Sequence, residues 1–181
     1  SRTTGSLALE KSTSNLFRQR TAEPRHKLDL RHFNHVIHVD EKERYAEVEG
    51  LTTYEDFVRE TLPFQLMPAV VPQLKSITIG GAMAGIGIES SSFKYGFVHE
   101  TIPEIEILLP DGTVAVATKD NEHRELFFGF ANSYGTLGYA LKLRARGARE
   151  TVRRVAPPAI HAGRSLLRGA GRSLRRRRRF H

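Results

Sequence analysis

The sequence predicts an α+β fold, built from short, mostly antiparallel strands with helices packed against them. Two strand pairs with turn sequences between them carry that expectation. So do two capped helical patterns, and the absence of a repeating strand–helix–strand series.

In chain order, Leu7 and Leu9 mark a first short strand that runs into the polar loop Lys11 to Asn15. Leu28, Asp29 and Leu30 form a second short alternating piece. His35–Val39 and Arg44–Glu49 flank the charged turn Asp40 to Glu43, which reads as a hairpin with one wet face. Thr52 and Glu55 have capping-box spacing, with Tyr54, Phe57, Val58 and Leu62 following at helical intervals until Pro63 stops the helix. A second hairpin joins Glu104–Leu109 to Thr113–Thr118 through Pro110-Asp111-Gly112. Asp120 is the expected cap of a helix placing Leu126, Phe127 and Phe130 on one side. Tyr139 to Leu143 alternates as a closing strand.

Charge divides the chain in two. Of 28 lysines and arginines, eleven lie from Gly147 onward, leaving 17 before it. Of 20 acids only Glu150 does, leaving 19. The net charge of +8 therefore belongs to the C-terminal stretch, and residues 1–146 are nearly neutral. We expect a domain over 1–146 and a basic, low-complexity tail over 147–181, disordered or weakly helical, because few large apolar residues there offset the entropy of ordering. Arg175 to Arg179 would attract any phosphate polymer or anionic surface. Without interleaved aromatics, no specific nucleic-acid partner is expected.

The chain has no cysteine, which excludes disulfides, thiolate metal sites and thiol catalysis. No apolar run reaches the roughly 20 residues of a membrane helix. With no secretory pattern at its start, a cytoplasmic protein is expected. His26, His32, His35 and His38 lie near one another without metal-cage spacing, so no metal is expected. Glu104 and Glu106 read as a solvated strand face.

The stretch from Pro72 to Gly96 is the most informative. It places Gly80, Gly81, Gly85, Gly87 and Gly96 among Thr78, Ser90, Ser91 and Ser92. Glycines let several amides converge on one anion such as a diphosphate. They equally let two elements pack closely, and both readings stand on spacing alone. The stretch is neither a Rossmann fingerprint nor a P-loop, since Ser90 stands where the third glycine would and no Gly-Lys-Ser/Thr follows. Two other polar loops, Ser12 to Asn15 and Asn132 to Gly138, gain meaning only if they converge with it. Glu89 is a candidate base, ribose partner or holder of loop amides, and Tyr95 and His99 are candidates to approach a bound ring.

The sequence resembles the FAD-binding domain of the vanillyl-alcohol-oxidase, or PCMH-type, flavoprotein superfamily. It is most similar to the Δ24-sterol reductase branch of FAD-linked oxidases (the diminuto/seladin-like proteins). The resemblance is carried by Val70-Val71-Pro72-Gln73-Leu74, Thr78-Ile79-Gly80-Gly81, Gly85-Ile86-Gly87-Ile88-Glu89-Ser90-Ser91-Ser92, Lys94-Tyr95-Gly96 and Gly135-Thr136-Leu137-Gly138. It covers roughly residues 5–146 and implies two α+β subdomains with FAD between them.

By the same resemblance, Ser12, Thr13, Ser14, Asn15 and Leu16 would wrap the pyrophosphate. Thr78, Ile79, Gly80, Gly81, Gly85, Gly87, Ile88, Glu89, Ser90, Ser91 and Ser92, with Tyr95 and Gly96, would contact the diphosphate and flavin side. Ser133, Gly135, Thr136 and Gly138 would complete the pocket. The first loop holds no histidine or cysteine, so FAD is expected to be noncovalent. In this family a substrate domain follows, and the chain departs from the pattern after Arg146. The composition of the tail suggests a shifted reading frame. The expected activity is that of an FAD-dependent oxidoreductase acting on a C–C bond of a sterol or lipid. The alternatives are an inactive flavin-binding fragment and an anionic-surface binder. A small-molecule substrate is expected only where a cap domain is supplied; no catalytic residue is assigned.

Overall fold

A computed structural model of the protein describes residues 7–10 and 26–149. The side chains of Leu7 and Ala8 are not described, and the expected loop Ser12–Leu16 and the basic tail lie outside the described residues.

Strands β1 (Leu7–Glu10) and β2 (His26–Asp29) pair in parallel, Leu9 opposite Leu28. Parallel neighbours need a long crossover, and residues 11–25 provide the length. The main sheet has the order β3-β4-β8-β6-β7 and is antiparallel throughout. Its strands are β3 (Val36–Asp40), β4 (Tyr45–Glu49), β6 (Glu104–Leu108), β7 (Val114–Thr118) and β8 (Tyr139–Arg149), with β5 (Leu66–Pro68) on the far end of β8.

Both expected hairpins are present. Asp111 fastens the second one, its carboxylate accepting from the amide and hydroxyl of Thr113. Strand β8 runs to Arg149, further than the alternation to Leu143 suggested, and the compositional break at Gly147 falls inside it. Gly147, Ala148 and Arg149 pair with β5, a tertiary partner that local pattern does not reveal.

Alternation sorts each strand into an inner and an outer face. Ala46, Val48, Ile105, Ile107, Ala117, Leu143 and Ala145 form the inner face of the core. Tyr54 and Phe57 from α1 (Tyr54–Thr61), Ile79, Ala82 and Met83 from α2 (Ile79–Gly85), and Phe127 and Phe130 from α4 (Arg124–Phe130) complete that core. The result is a layer of helices on one face of a sheet. On the outer face Arg144 lies between Glu47 and Glu104, and Lys142 between Glu49 and Glu106. Glu104 and Glu106 are thus half-buried members of cross-strand charge rows, not a simply solvated face, and Lys142 Nζ reaches Glu106 at 2.6 Å.

Both helix caps differ from expectation. Thr53, not Thr52, caps α1: its hydroxyl oxygen accepts from the amide of Asp56. Thr52 is fully buried and donates to the carbonyl of His35, while Glu55 pairs with Lys75 at 2.6 Å. Buried Tyr54, Phe57 and Thr61 define the helix face, so Thr61 takes the inward position expected of Leu62, which is exposed. At α4 the residue before the helix is His123, which makes no side-chain cap. Asn121, rather than Asp120, organises the turn: its Oδ1 accepts from the amides of Thr118 and His123, and its Nδ2 donates to the Val116 carbonyl. These bonds also occupy backbone groups of the edge strand β7 and so blunt the edge.

The α1 cap makes a testable link to pH. The Thr53 hydroxyl at 2.7 Å, and then Arg59 at 2.6 Å, hold the Asp56 carboxyl below the ordinary aspartate range. A carboxyl with a depressed folded-state pKa contributes stability that is present above its unfolded pKa and lost as pH falls through the folded one. Urea midpoints measured across the acid range should therefore fall less steeply in Asp56→Asn than in the parent. Parallel acid limbs would remove Asp56 from the account.

Candidate functional site

The segment expected to bind the cofactor divides into two ends of α2. At its start, Thr78 is buried and its hydroxyl oxygen accepts from the amide of Gly81. The amide of Ile79 donates to Thr52 and that of Gly80 to Gly50, both to backbone carbonyls. A Cβ on Gly80 would come within 2.7 Å of the Gly50 oxygen, and one on Gly50 within 2.0 Å of the Ala140 oxygen. Here the glycines serve close packing, and these three amides are spent within the protein.

At the other end, α2 stops at Ile86, which has φ 51° and caps the helix by donating its amide to the Ala82 carbonyl. A β-branched residue rarely takes this left-handed conformation. The amide of Tyr134 donates to the Ala84 carbonyl at 3.0 Å, and the Tyr134 ring lies 3.7 Å from where a Cβ on Gly85 would be. Asn132 (φ 63°), Tyr134 (φ 50°) and Gly135 (φ 83°) are also left-handed, so unusual backbone from two segments meets at one place. Such clusters concentrate at functional sites. The Gly85–Ser92 segment and the Asn132–Gly138 loop do converge.

Around this junction the expected residues have distinct fates. Gly87 accepts from the amide of Val98 at 3.1 Å and packs directly on the Val98 side chain. Ser92 is occupied by the amide of Glu89, and the Ser133 side chain is buried within its own turn, accepting weakly from Gly135. The amide of Glu89 is therefore held by Ser92, not by the Glu89 carboxylate. Burial, and then the charge of the Glu89 carboxylate, push the Tyr54 phenol up. The hydroxyls of Ser90 and Ser91 make no hydrogen bond to the described residues. Thr136 donates to the carbonyl of Ser133. Gly138, at φ 146°, would clash with the Leu108 oxygen if it carried a Cβ.

Tyr95 is half-buried against the core with Lys94 4.9 Å above its ring, and Gly96 (φ 82°) closes α3 (Ser92–Tyr95). Beside these hydroxyls stand two exposed apolar residues, Ile88 at 64% and Phe93 at 92%. Nδ1 of His99, a candidate in the sequence to approach a bound ring, is buried with no hydrogen-bond partner among the described residues. Leaving such an atom unpaired costs about 1–3 kcal/mol.

A family of sequences described as "FAD binding domain" matches residues 8–118. The chain belongs to that family. Within residues 8–118 lie the α1 and α2 segments, the Gly85–Ser92 turn and the second hairpin; the Asn132–Gly138 loop follows the match. Among curated relatives, Delta(24)-sterol reductase of Pisum sativum is 43% identical over 111 residues, 61% of this chain and 20% of that protein. Cytokinin dehydrogenase 1 of Arabidopsis thaliana is 29% identical over 103 residues, 57% of this chain and 18% of that one. The chain thus spans about a fifth of the length of these relatives. The fold matches that of 6-hydroxy-D-nicotine oxidase from Arthrobacter nicotinovorans with a TM-score of 0.71 at 22% identity, covering 80% of this chain and 31% of that structure. The PCMH-type FAD-binding fold expected from the sequence is therefore the fold adopted.

The described residues suit the family's cofactor. FAD needs donors for a diphosphate and apolar surface for its rings. The Ser90 and Ser91 hydroxyls, which make no hydrogen bond to the described residues, and exposed Ile88 and Phe93 offer both. Among the described residues there is no group of three or more His, Asp or Glu that could hold a metal ion, and no helix long and apolar enough to cross a membrane.

Proposed function

We propose that this chain is the cofactor-holding part of an FAD-dependent oxidoreductase, that it binds FAD noncovalently, and that the reaction alters a C–C bond of a sterol or lipid-like substrate. The observation carrying the proposal is the meeting of Gly85–Ser92 with Asn132–Gly138 at the Tyr134–Ala84 hydrogen bond, in a chain of the FAD binding domain family. Similarity to Delta(24)-sterol reductase supports the substrate class. The absence of histidine and cysteine from Ser12–Leu16 supports noncovalent attachment.

In this reading FAD supplies the two-electron chemistry, and the chain supplies binding and orientation. Ser12–Leu16 and the Ser90–Ser91 hydroxyls take the diphosphate. Ile88, Phe93 and Tyr95 offer apolar contact, and Gly135–Gly138 closes the side opposite α2. The spent amides of Ile79, Gly80 and Gly81 instead fix the helix that presents this turn. Residues 1–146 are proposed as the FAD domain and the arginine-rich 147–181 as an appended tail. Substrate recognition is proposed to rest on regions of the relatives outside the matched fifth.

The test is an absorbance spectrum of the purified chain before and after adding FAD and desalting. Flavin bands should stay with the protein, survive high salt, and pass into the supernatant on acid denaturation. A cooperatively folded sample that retains no flavin overturns the reading, and flavin remaining on the denatured chain overturns noncovalent attachment.

A further inference from the structure

We infer that the ring of Tyr134 is a stacking platform for one of the flat rings of FAD, its isoalloxazine or its adenine; this contact rests on the FAD reading above. Tyr134 stands in a tight turn closed by the Thr136 amide, which donates to the Ser133 carbonyl at 3.0 Å. Both central residues of the turn have positive φ, Tyr134 at 50° and Gly135 at 83°. Turns of that hand favour glycine, asparagine or aspartate at these positions. A tyrosine at the first of them is a strained choice that backbone preference does not explain. Such an outlier points to a task for the side chain.

Two contacts fix where the ring stands. The Tyr134 amide donates to the Ala84 carbonyl at 3.0 Å, which ties the turn to the end of α2. The ring edge lies 3.7 Å from where a Cβ on Gly85 would be, so it borders the glycine-rich segment itself. Ser133 beside it is buried and anchors the turn, yet Tyr134 is 51% exposed. The turn therefore presents an open aromatic surface, on a fixed backbone, at the junction of the two segments that form the candidate site. A flat heteroaromatic ring laid on that surface gains offset stacking as well as burial. The contact uses the ring and not the phenol hydroxyl, and no proton or electron transfer is required of it.

The experiment compares the full chain with Tyr134→Phe and Tyr134→Leu. Calorimetric titration gives FAD affinity, and urea unfolding without FAD gives the stability of the apo-protein. Phenylalanine keeps the flat face, so its FAD affinity should stay within about twofold of the parent. Leucine keeps apolar bulk without the face, so FAD affinity should fall about tenfold, within the range that stacking of a base on an aromatic side chain is worth. The apo-protein urea midpoints of the two variants should agree. Titrations with FMN and with ADP assign the ring: a leucine effect on FMN marks the isoalloxazine, and one on ADP marks the adenine.

A leucine variant that binds FAD as tightly as the parent overturns the stack. Equal losses in both variants would place the role in the hydroxyl and overturn it too. So would an affinity loss in the leucine variant matched by a urea midpoint below that of the phenylalanine variant, which would make the ring a packing group. A parent chain that binds no FAD overturns the cofactor reading itself, and this contact with it.

Discussion

Gly50→Ala is expected to destabilise the protein by about 3 kcal/mol, the upper part of the usual range for forcing atoms into a packed interior. A Cβ at this position would lie 2.0 Å from the Ala140 oxygen and 2.8 Å from the Ala140 carbonyl carbon. Those are backbone atoms of β8, which no rotamer change can move aside. The Gly50 carbonyl also accepts the amide of Gly80, and its own amide donates to Leu141. One residue therefore joins the end of β4, the start of α2 and the central strand. Relieving the clash must separate at least two of them, and α2 carries the Gly85–Ser92 turn at its other end. Urea unfolding should show the lower midpoint, and FAD affinity should fall with it. Gly129→Ala is the control: its Cβ would meet only a leucine methyl at 3.4 Å, and helix propensity favours alanine by roughly 1 kcal/mol. If both variants unfold at the same urea concentration, close approach is not what Gly50 provides.

Phe57→Ala should cost about 3–5 kcal/mol, the sum of lost transfer free energy and the cavity left behind. Phe57 is 1% exposed, and its ring lies 6.1 Å from that of Tyr54, so a single truncation hollows the layer between α1 and the sheet. Domains of this kind are stable by only about 5–15 kcal/mol, so the variant approaches the limit of folding at ambient temperature. It differs from Gly50→Ala in one measurable respect. Phe57 takes no part in the backbone hydrogen bonds that join Gly50 to α2 or Tyr134 to Ala84, so FAD at a hundred times its dissociation constant should restore about 2.7 kcal/mol. A Phe57→Ala protein that folds yet gains nothing from FAD would show that α1 packing and the site are one unit.

The local elements were legible because their causes are local. Pro110-Asp111-Gly112 makes its turn wherever it stands, since the Asp111 carboxylate ties down Thr113 two residues on. The inner and outer faces of β4, β6 and β7 follow from alternation alone. The α1 cap was displaced by one residue for a long-range reason. Capping-box spacing points to Thr52, but the demand of the His35 carbonyl for a donor draws Thr52 into the interior, leaving the cap to Thr53. Asn121 replaced Asp120 because an amide side chain can accept from the turn and donate to the edge strand at once, which a carboxylate cannot.

The candidate site was half legible. Which segments matter could be read from glycine and serine spacing and from family resemblance. What each glycine does could not. Gly80 and Gly81 had two open readings as peptide chemistry, and only the positions of Gly50, Thr52 and Thr78 show their amides to be already taken.

By itself the sequence determined the fold class, both hairpins, the division of charge near Gly147 and the segments that carry the family's motif. Those are consequences of periodicity, turn chemistry and composition, which act over a few residues. The tertiary structure alone decided that β8 continues to pair with β5, that two distant segments meet at Ala84 and Tyr134, and that half-buried His99 has an enclosed Nδ1 unpaired among the described residues. Each of these depends on which polar groups find partners once the chain has closed on itself, and no local pattern encodes that.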